Sequence, residues 1–214
     1  MISHRHRCIF VEVPKTGSTS VRKLLGSPLR PHMNLCQIRH EMETQWTRYG
    51  GIRNRMMQSL YLALPEKRRR ARGREQFDSY FKFGFVRNPW DRVVSLYERR
   101  EGLQFRDQMD FEGFVDWIRY SSSTSVHAVP HRYQLDWFVD PHGDLLADLI
   151  GKFEKLSEDW ASVAERIGLP TELPHTNPGV QRKHYSEYYS NRTRHVVAER
   201  FAVDIEYFGY EFEG

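Results

Sequence analysis

A lysine set ahead of a glycine and among hydroxyls marks the start of the chain, in Val13-Pro14-Lys15-Thr16-Gly17-Ser18-Thr19-Ser20. The segment follows an apolar run, Cys8-Ile9-Phe10-Val11, and precedes a pattern in which Val21, Leu24 and Leu25 share one helical face. Strand, tight polar loop and helix in that order make an anion site. Unsatisfied N–H groups at a helix start and the positive end of its dipole converge on one point. A phosphate would sit there, ringed by Pro14, Lys15, Thr16, Gly17, Ser18, Thr19 and Ser20. The loop departs from the nucleotide cradle G-x-x-x-x-G-K-[ST], because the lysine precedes the glycine and hydroxyls replace the glycine-rich stretch. Chemistry other than ordinary ATP turnover is indicated.

A second segment with the same logic lies about seventy residues on. Phe83-Gly84-Phe85-Val86 reads as a buried strand running into Arg87-Asn88-Pro89-Trp90-Asp91-Arg92-Val93-Val94-Ser95-Leu96-Tyr97, where Pro89 opens a helix. Arg87 then ends a strand and Ser95 lies about two turns into the helix. A bidentate guanidinium and a hydroxyl so placed can reach one phosphate group. By local chemistry Asp91 reads as a helix N-cap and Arg92 as a surface salt-bridging residue. An acid that would hold a kinase's metal ion is missing where Arg87 stands, which weighs against a P-loop nucleotide kinase or NTPase. The third reading is a scaffold that binds an acidic glycan or nucleotide without turnover, and the intact Lys15 argues against it.

The two segments together resemble the cofactor-binding signatures of sulfotransferases that use 3′-phosphoadenosine 5′-phosphosulfate (PAPS). Further matches are Phe111-Glu112-Gly113-Phe114-Val115-Asp116-Trp117, Gln134-Leu135-Asp136-Trp137-Phe138, Ile150-Gly151-Lys152-Phe153-Glu154 and Leu173-Pro174-His175-Thr176-Asn177. These are similar to the carbohydrate branch of that family, which includes heparan 2-O and chondroitin enzymes and bacterial relatives. The resemblance implies a donor, PAPS, with the bisphosphate PAP as product, a carbohydrate or glycoconjugate acceptor, and transfer without a metal ion. It implies that the first loop holds the 5′-phosphosulfate and that Arg87 and Ser95 hold the 3′-phosphate. His175, Asn177 and Lys183 correspond to a C-terminal element that approaches the cofactor.

Sulfuryl transfer to a hydroxyl needs cations at the leaving phosphate and a base for the acceptor's proton. Lys15 suits the first task. For the second, an imidazole with its ordinary value near 6.5 is well matched. The family's base tends to lie between the two cofactor segments after a Lys-His pair, and Arg39-His40-Glu41-Met42-Glu43-Thr44 is the nearest match, with arginine in the place of lysine. His40 is the first candidate, followed by Glu41 or Glu43, and then His32. His127 and His131 have an i,i+4 spacing that only weakly suggests a metal.

Elements must bring these residues together. The pattern predicts strands near 7–13, 80–86 and 149–153, with helices near 18–25, 91–100, 111–118, 160–167 and 191–202. Strands separated by helices predict an α/β, three-layer P-loop-like fold with a central parallel sheet flanked by helices, and ligands at the carboxyl ends of the strands. At 214 residues the chain reads as one domain, 1–214.

The formal net charge of +4 favours anionic ligands. Much of the excess is in Lys67-Arg68-Arg69-Arg70-Ala71-Arg72-Gly73-Arg74, which reads as a solvated helix face or connector, or as a contact surface for an acidic acceptor. No RNA-binding aromatic motif or zinc finger accompanies it, so nucleic acid is not the expected partner. Two cysteines, Cys8 and Cys36, are too few for a disulfide framework. The pair His4 and His6 reads as a frayed terminus. Neither a signal peptide nor a membrane span is legible, so the sequence predicts a cytoplasmic protein.

Overall fold

In a computed structural model of the chain, residues 1–26, 32–44, 55–98, 107–120, 133–174 and 182–214 are described. Three strands run parallel: β2 (Cys8–Val11), β3 (Phe81–Val86) and β4 (Leu149–Lys152). All residues of β2 and β3 are buried. Both strands are nearly continuous apolar runs because the sheet is covered on two faces.

The period-two alternation of each strand splits the core in two. Cys8 and Phe10 with Phe81, Phe83 and Phe85 face one way, against Val21 of α1 (Ser18–Leu25). Ile9, Val11 and Val86 face the other way, toward Leu35, Ile38 and Met42 of α2 (Leu35–Thr44). The helices that follow are α3 (Arg55–Leu62), α4 (Glu66–Ser79), α5 (Pro89–Tyr97) and α6 (Phe111–Tyr120). Next come α7 (Leu156–Ile167), α8 (Asn191–Arg200) and α9 (Ala202–Phe208). Helix α7 joins α1 on the first face through Trp160, Val163 and Ala164, while α5, α6 and α8 cover the second. Each fully buried aromatic or branched side chain stabilises the folded state by roughly 1.5–3 kcal/mol.

Helix α4 lies close on α2. A Cβ added at Gly73 would stand 2.3 Å from the Met42 carbonyl oxygen, so only glycine permits the approach.

The sheet differs from the sequence expectation at one edge. A two-residue strand, β1 (Ile2–Ser3), pairs antiparallel with β2, with Ile2 opposite Ile9, and makes the sheet mixed. The chain turns back through Arg7 at φ 48, and the polar turn is tied down: His4 Nδ1 lies 2.7 Å from the Tyr80 hydroxyl and His6 Nδ1 3.0 Å from the Ile167 carbonyl. The reading of His4 and His6 as a frayed end is therefore corrected, since their partners lie 76 and 161 residues away in sequence.

Candidate functional site

Parallel pairing of β2 with β3 brings the two sequence segments to one edge of the sheet. Val11 is in register with Gly84, so the lysine loop after β2 and Arg87 after β3 leave the carboxyl ends of neighbouring strands.

In the first loop, Thr16 is fully buried and its hydroxyl donates to the Val13 carbonyl at 2.9 Å, which folds the turn on itself. Lys15 at φ 73 and Gly17 at φ 78 both take left-handed backbone. That conformation costs a non-glycine residue roughly 1–2 kcal/mol, a strain found where a loop is shaped for binding. At Gly17 a side chain is excluded twice over, by the backbone and because a Cβ would lie 2.9 Å from Leu156 Cδ2 and 3.0 Å from Phe153 Cε2. Gly17 is the N-cap of α1 and has no side chain to accept from the first amides. The first turn of that helix, starting at Ser18, holds no carboxylate. An anion therefore meets the dipole and the amides without an internal competitor. Ser18 and Ser20 are half-buried and Thr19 is exposed on this turn, beside Pro14 in the buried part of the loop.

Arg87 is buried, and its guanidinium joins both segments. Nη1 donates to the Lys15 carbonyl at 3.1 Å, and Nε donates to Asp91 Oδ2 at 2.8 Å. Nη2 lies 2.7 Å from the same carboxylate, and the guanidinium carbon stands 4.1 Å from the centre of the Phe153 ring. Burial pulls the Arg87 guanidinium below its ordinary value, opposed by Asp91. Its backbone is clamped as well: Arg87 N donates to Gln134 Oε1 at 3.0 Å and Gln134 Nε2 donates to Arg87 O at 2.8 Å. The backbone amide of Gln134 in turn donates to Asp204 Oδ2 at 2.9 Å.

Two sequence expectations change here. The N-cap of α5 is Asn88, whose side chain accepts from Trp90 N and Asp91 N, because Pro89 takes the first helical position and sets Asn88 just outside the helix. Asp91 is freed to lie between guanidiniums. Arg92 is buried rather than on the surface, and its Nε donates to the Pro14 carbonyl at 3.2 Å. Burial takes its guanidinium down to about 10, with Asp204 opposing. Together Arg87 and Arg92 hold two successive carbonyls of the lysine loop.

Arg182, which is not among the site residues read from the sequence, completes the cluster. Its Nη2 pairs with Asp91 Oδ1, while its Nη1 is buried and has no hydrogen-bond partner among the described residues. Asp91 thus carries two cations, and one of them keeps an unused donor. The signal in the sequence is the adjacent Arg182-Lys183 pair. Ser95 lies half-buried one turn beyond Asp91 on the same face of α5.

The remaining expected residues are distributed differently. Lys183 donates to the Glu187 carbonyl at 2.9 Å and lies 4.6 Å over the Tyr188 ring. His175 and Asn177 lie outside the described residues, as do His127 and His131. His40 is exposed on α2 and lines a cleft of about 430 Å³ with Cys36, Arg39, Glu43, Arg74 and Asp78. Arg74 Nε donates to Glu43 Oε1 across that cleft at 3.0 Å. Glu41 is half-buried. His32 stands nearer the loop in the chain of contacts: its Nδ1 is 3.1 Å from the carbonyl of Glu12, three residues ahead of Lys15, and its ring meets Trp137 edge-on.

No described helix is long and apolar enough to cross a membrane. Cys8 and Cys36 are unbridged.

A family model described as the sulfotransferase family matches residues 1–211. An uncharacterised protein of Archaeoglobus fulgidus is 35% identical over 103 residues, covering 47% of this chain and 78% of that protein. Carbohydrate sulfotransferase 12 of Mus musculus is 23% identical, over 96% of this chain and 54% of the mouse protein. Carbohydrate sulfotransferase 10 of Xenopus laevis is 20% identical, over 98% of this chain and 66% of the frog protein. The chain thus spans between half and two thirds of the length of these two animal relatives. A solved sulfotransferase from Alicyclobacillus acidocaldarius aligns over 92% of each chain at 16% identity, with a TM-score of 0.42.

Proposed function

Because the chain belongs to the sulfotransferase family, we propose that it transfers a sulfuryl group from PAPS to a hydroxyl of a carbohydrate or glycoconjugate acceptor, releasing PAP. The observation that carries this reading is the junction of two phosphate-suited segments through Arg87 and the Lys15 carbonyl. A donor with phosphates at both ends of one nucleoside matches two anion sites on neighbouring strand ends better than a single triphosphate does. The carbohydrate acceptor follows the names of the mouse and frog relatives. A cytoplasmic setting is part of the same proposal and agrees with the unbridged cysteines.

In this reading the acceptor oxygen bonds to sulfur as the bond from sulfur to the bridging phosphate oxygen breaks. The electron pair of that bond leaves with the phosphate, and the acceptor's proton passes to a base. Lys15, with the amides from Gly17 onward, takes up the charge developing on the phosphate. One such donor lowers a barrier by roughly 3–4 kcal/mol. Arg87, Ser95 and Arg182 hold the 3′-phosphate, and the cofactor contacts that the family resemblance implies for His175, Asn177 and Lys183 are part of the same proposal. His40 is the proposed base, with Glu41 beside it on α2 and His32 as the alternative nearer the loop. No step in the scheme calls on a metal ion.

Incubation with PAPS labelled in its sulfuryl group and a panel of glycans tests the proposal. Label on a glycan hydroxyl supports it. Label retained on the nucleotide throughout, with phosphoryl transfer from ATP to the same panel, would assign the chain to a kinase reaction.

A further inference from the structure

Helix α3 carries large apolar side chains at the surface. Met56 is 68% exposed, Met57 48%, Leu60 60% and Leu62 54%. Met56, Met57 and Leu60 fall within about 100° of arc on the helix, the width of a core-facing stripe, yet none belongs to either core. The helix is fixed beside this arc, at Tyr61, about 40° further round than Met57. Tyr61 is buried and its hydroxyl donates to the Arg69 carbonyl at 2.9 Å, holding α3 against the second turn of α4.

Only Ala63, Leu64 and Pro65 separate α3 from the basic helix. On α4, Lys67, Arg68, Arg70, Arg72 and Arg74 are all exposed, and with Arg69 they outnumber Glu66, Glu75 and Asp78. Arg70 pairs with Glu66 and Arg74 with Glu43, so part of that charge is neutralised. Gly73 presses the inner side of α4 onto the α2 backbone, so the cations are held on the outside.

An acidic polymer would need the cations alone, and an apolar groove on a partner protein would need the α3 arc alone. Two successive helices that offer both match the boundary of a bilayer, where methionine and leucine enter the acyl layer and lysine and arginine meet lipid phosphates. We propose that the successive helices α3 and α4 dock the protein peripherally on an anionic lipid surface. The docking does not depend on the sulfotransfer reading. It does place the cleft lined by His40, Arg39 and Arg74 at the flank of the docking helix, where an acceptor carried by the membrane would be presented.

Sedimentation with vesicles tests this directly. The purified chain is spun with vesicles of phosphatidylcholine alone and of phosphatidylcholine mixed with phosphatidylglycerol, at low and high salt. It is expected in the pellet with the mixed vesicles and in the supernatant with the neutral ones, and binding falls as salt rises. The double variants Met56→Ser with Leu60→Ser, and Lys67→Glu with Arg68→Glu, are each expected to lower vesicle partitioning by roughly tenfold or more. Thermal unfolding and PAP binding should be unchanged in both, because all four side chains are exposed. Wild-type protein that stays in the supernatant with mixed vesicles would overturn the proposal. So would a serine variant that pellets like wild type, which would leave a purely electrostatic surface suited to a soluble polyanion.

Discussion

Nη1 of Arg87 donates to the carbonyl of Lys15 at 3.1 Å, across 72 residues of sequence. The residue assigned to the 3′-phosphate therefore also supports the loop assigned to the 5′-phosphosulfate. Removing it should disturb both ends of the donor. Arg87→Ala is expected to weaken both PAP and its analogue lacking the 3′-phosphate, and PAP the more, with the direct contact worth roughly 10- to 150-fold, the range of a charged hydrogen bond. Arg182 bonds Asp91 and has a donor in reserve. Calorimetry on Arg182→Ala should accordingly show a loss for PAP that is absent for the analogue. Equal losses in both variants would remove the division of labour.

Asp91 separates the two guanidiniums in a half-buried setting. Asp91→Asn keeps the shape and leaves the cations without their counter-charge, which should lower folding stability by roughly 3–5 kcal/mol. Phosphate or PAP should recover part of the loss. Urea unfolding with and without PAP measures both, and a variant as stable as wild type would mean that Asp91 does not hold the pair.

Gly17→Ala should abolish donor binding at little distance from the native fold. The added methyl meets Leu156 and Phe153 side chains, and the backbone at φ 78 disfavours any L-residue. A Gly17→Ala protein that binds PAP normally in calorimetry would show that the loop tolerates a rearrangement.

The parts of this arrangement that lie within one segment were legible in the sequence. The apolar runs of β2 and β3, Pro89 at the start of α5 and the glycine of the first loop each announce themselves locally. The contacts that make the two segments one site were not. Gln134 clamps the backbone of Arg87 from 47 residues away and is itself held by Asp204, 70 residues further on. A buried glutamine on an irregular stretch has no periodic signature. Arg92 reads as a surface arginine because four residues of local sequence contain nothing to bury it, whereas the fold lays the Pro14 loop over it. The turn holding His4 and His6 was missed for the same reason, since short polar turns owe their order to distant partners.

Asp204 offers a test of that hidden support through pH. Burial pushes its carboxyl above the ordinary 3.8, against the pull of the Gln134 and Leu135 amides and Arg92. Between 3.8 and the higher folded value the native state binds more protons than the unfolded chain. Stability from this group therefore declines as pH rises through that window and is level above it. Asp204→Asn should remove the slope while weakening PAP binding through Gln134. An unchanged slope in the variant would place its origin elsewhere.

The base is separable from cofactor binding. His40→Ala should lower the transfer rate strongly with little change in PAP affinity, because proton removal acts at the transition state. A normal rate in His40→Ala would move the role to Glu41 or Glu43, each checked by Glu→Gln, or to His32, checked by His32→Ala.

In the proposed reaction Lys15 stabilises the leaving phosphate at a site built from both strand ends. This role is tested most directly by the single-turnover rate of sulfuryl transfer from labelled PAPS by Lys15→Ala, with folding checked by thermal unfolding. The expected rate is lowered by ~10²–10³ in a protein that still folds. A folded Lys15→Ala protein that transfers label at the wild-type rate would contradict that role.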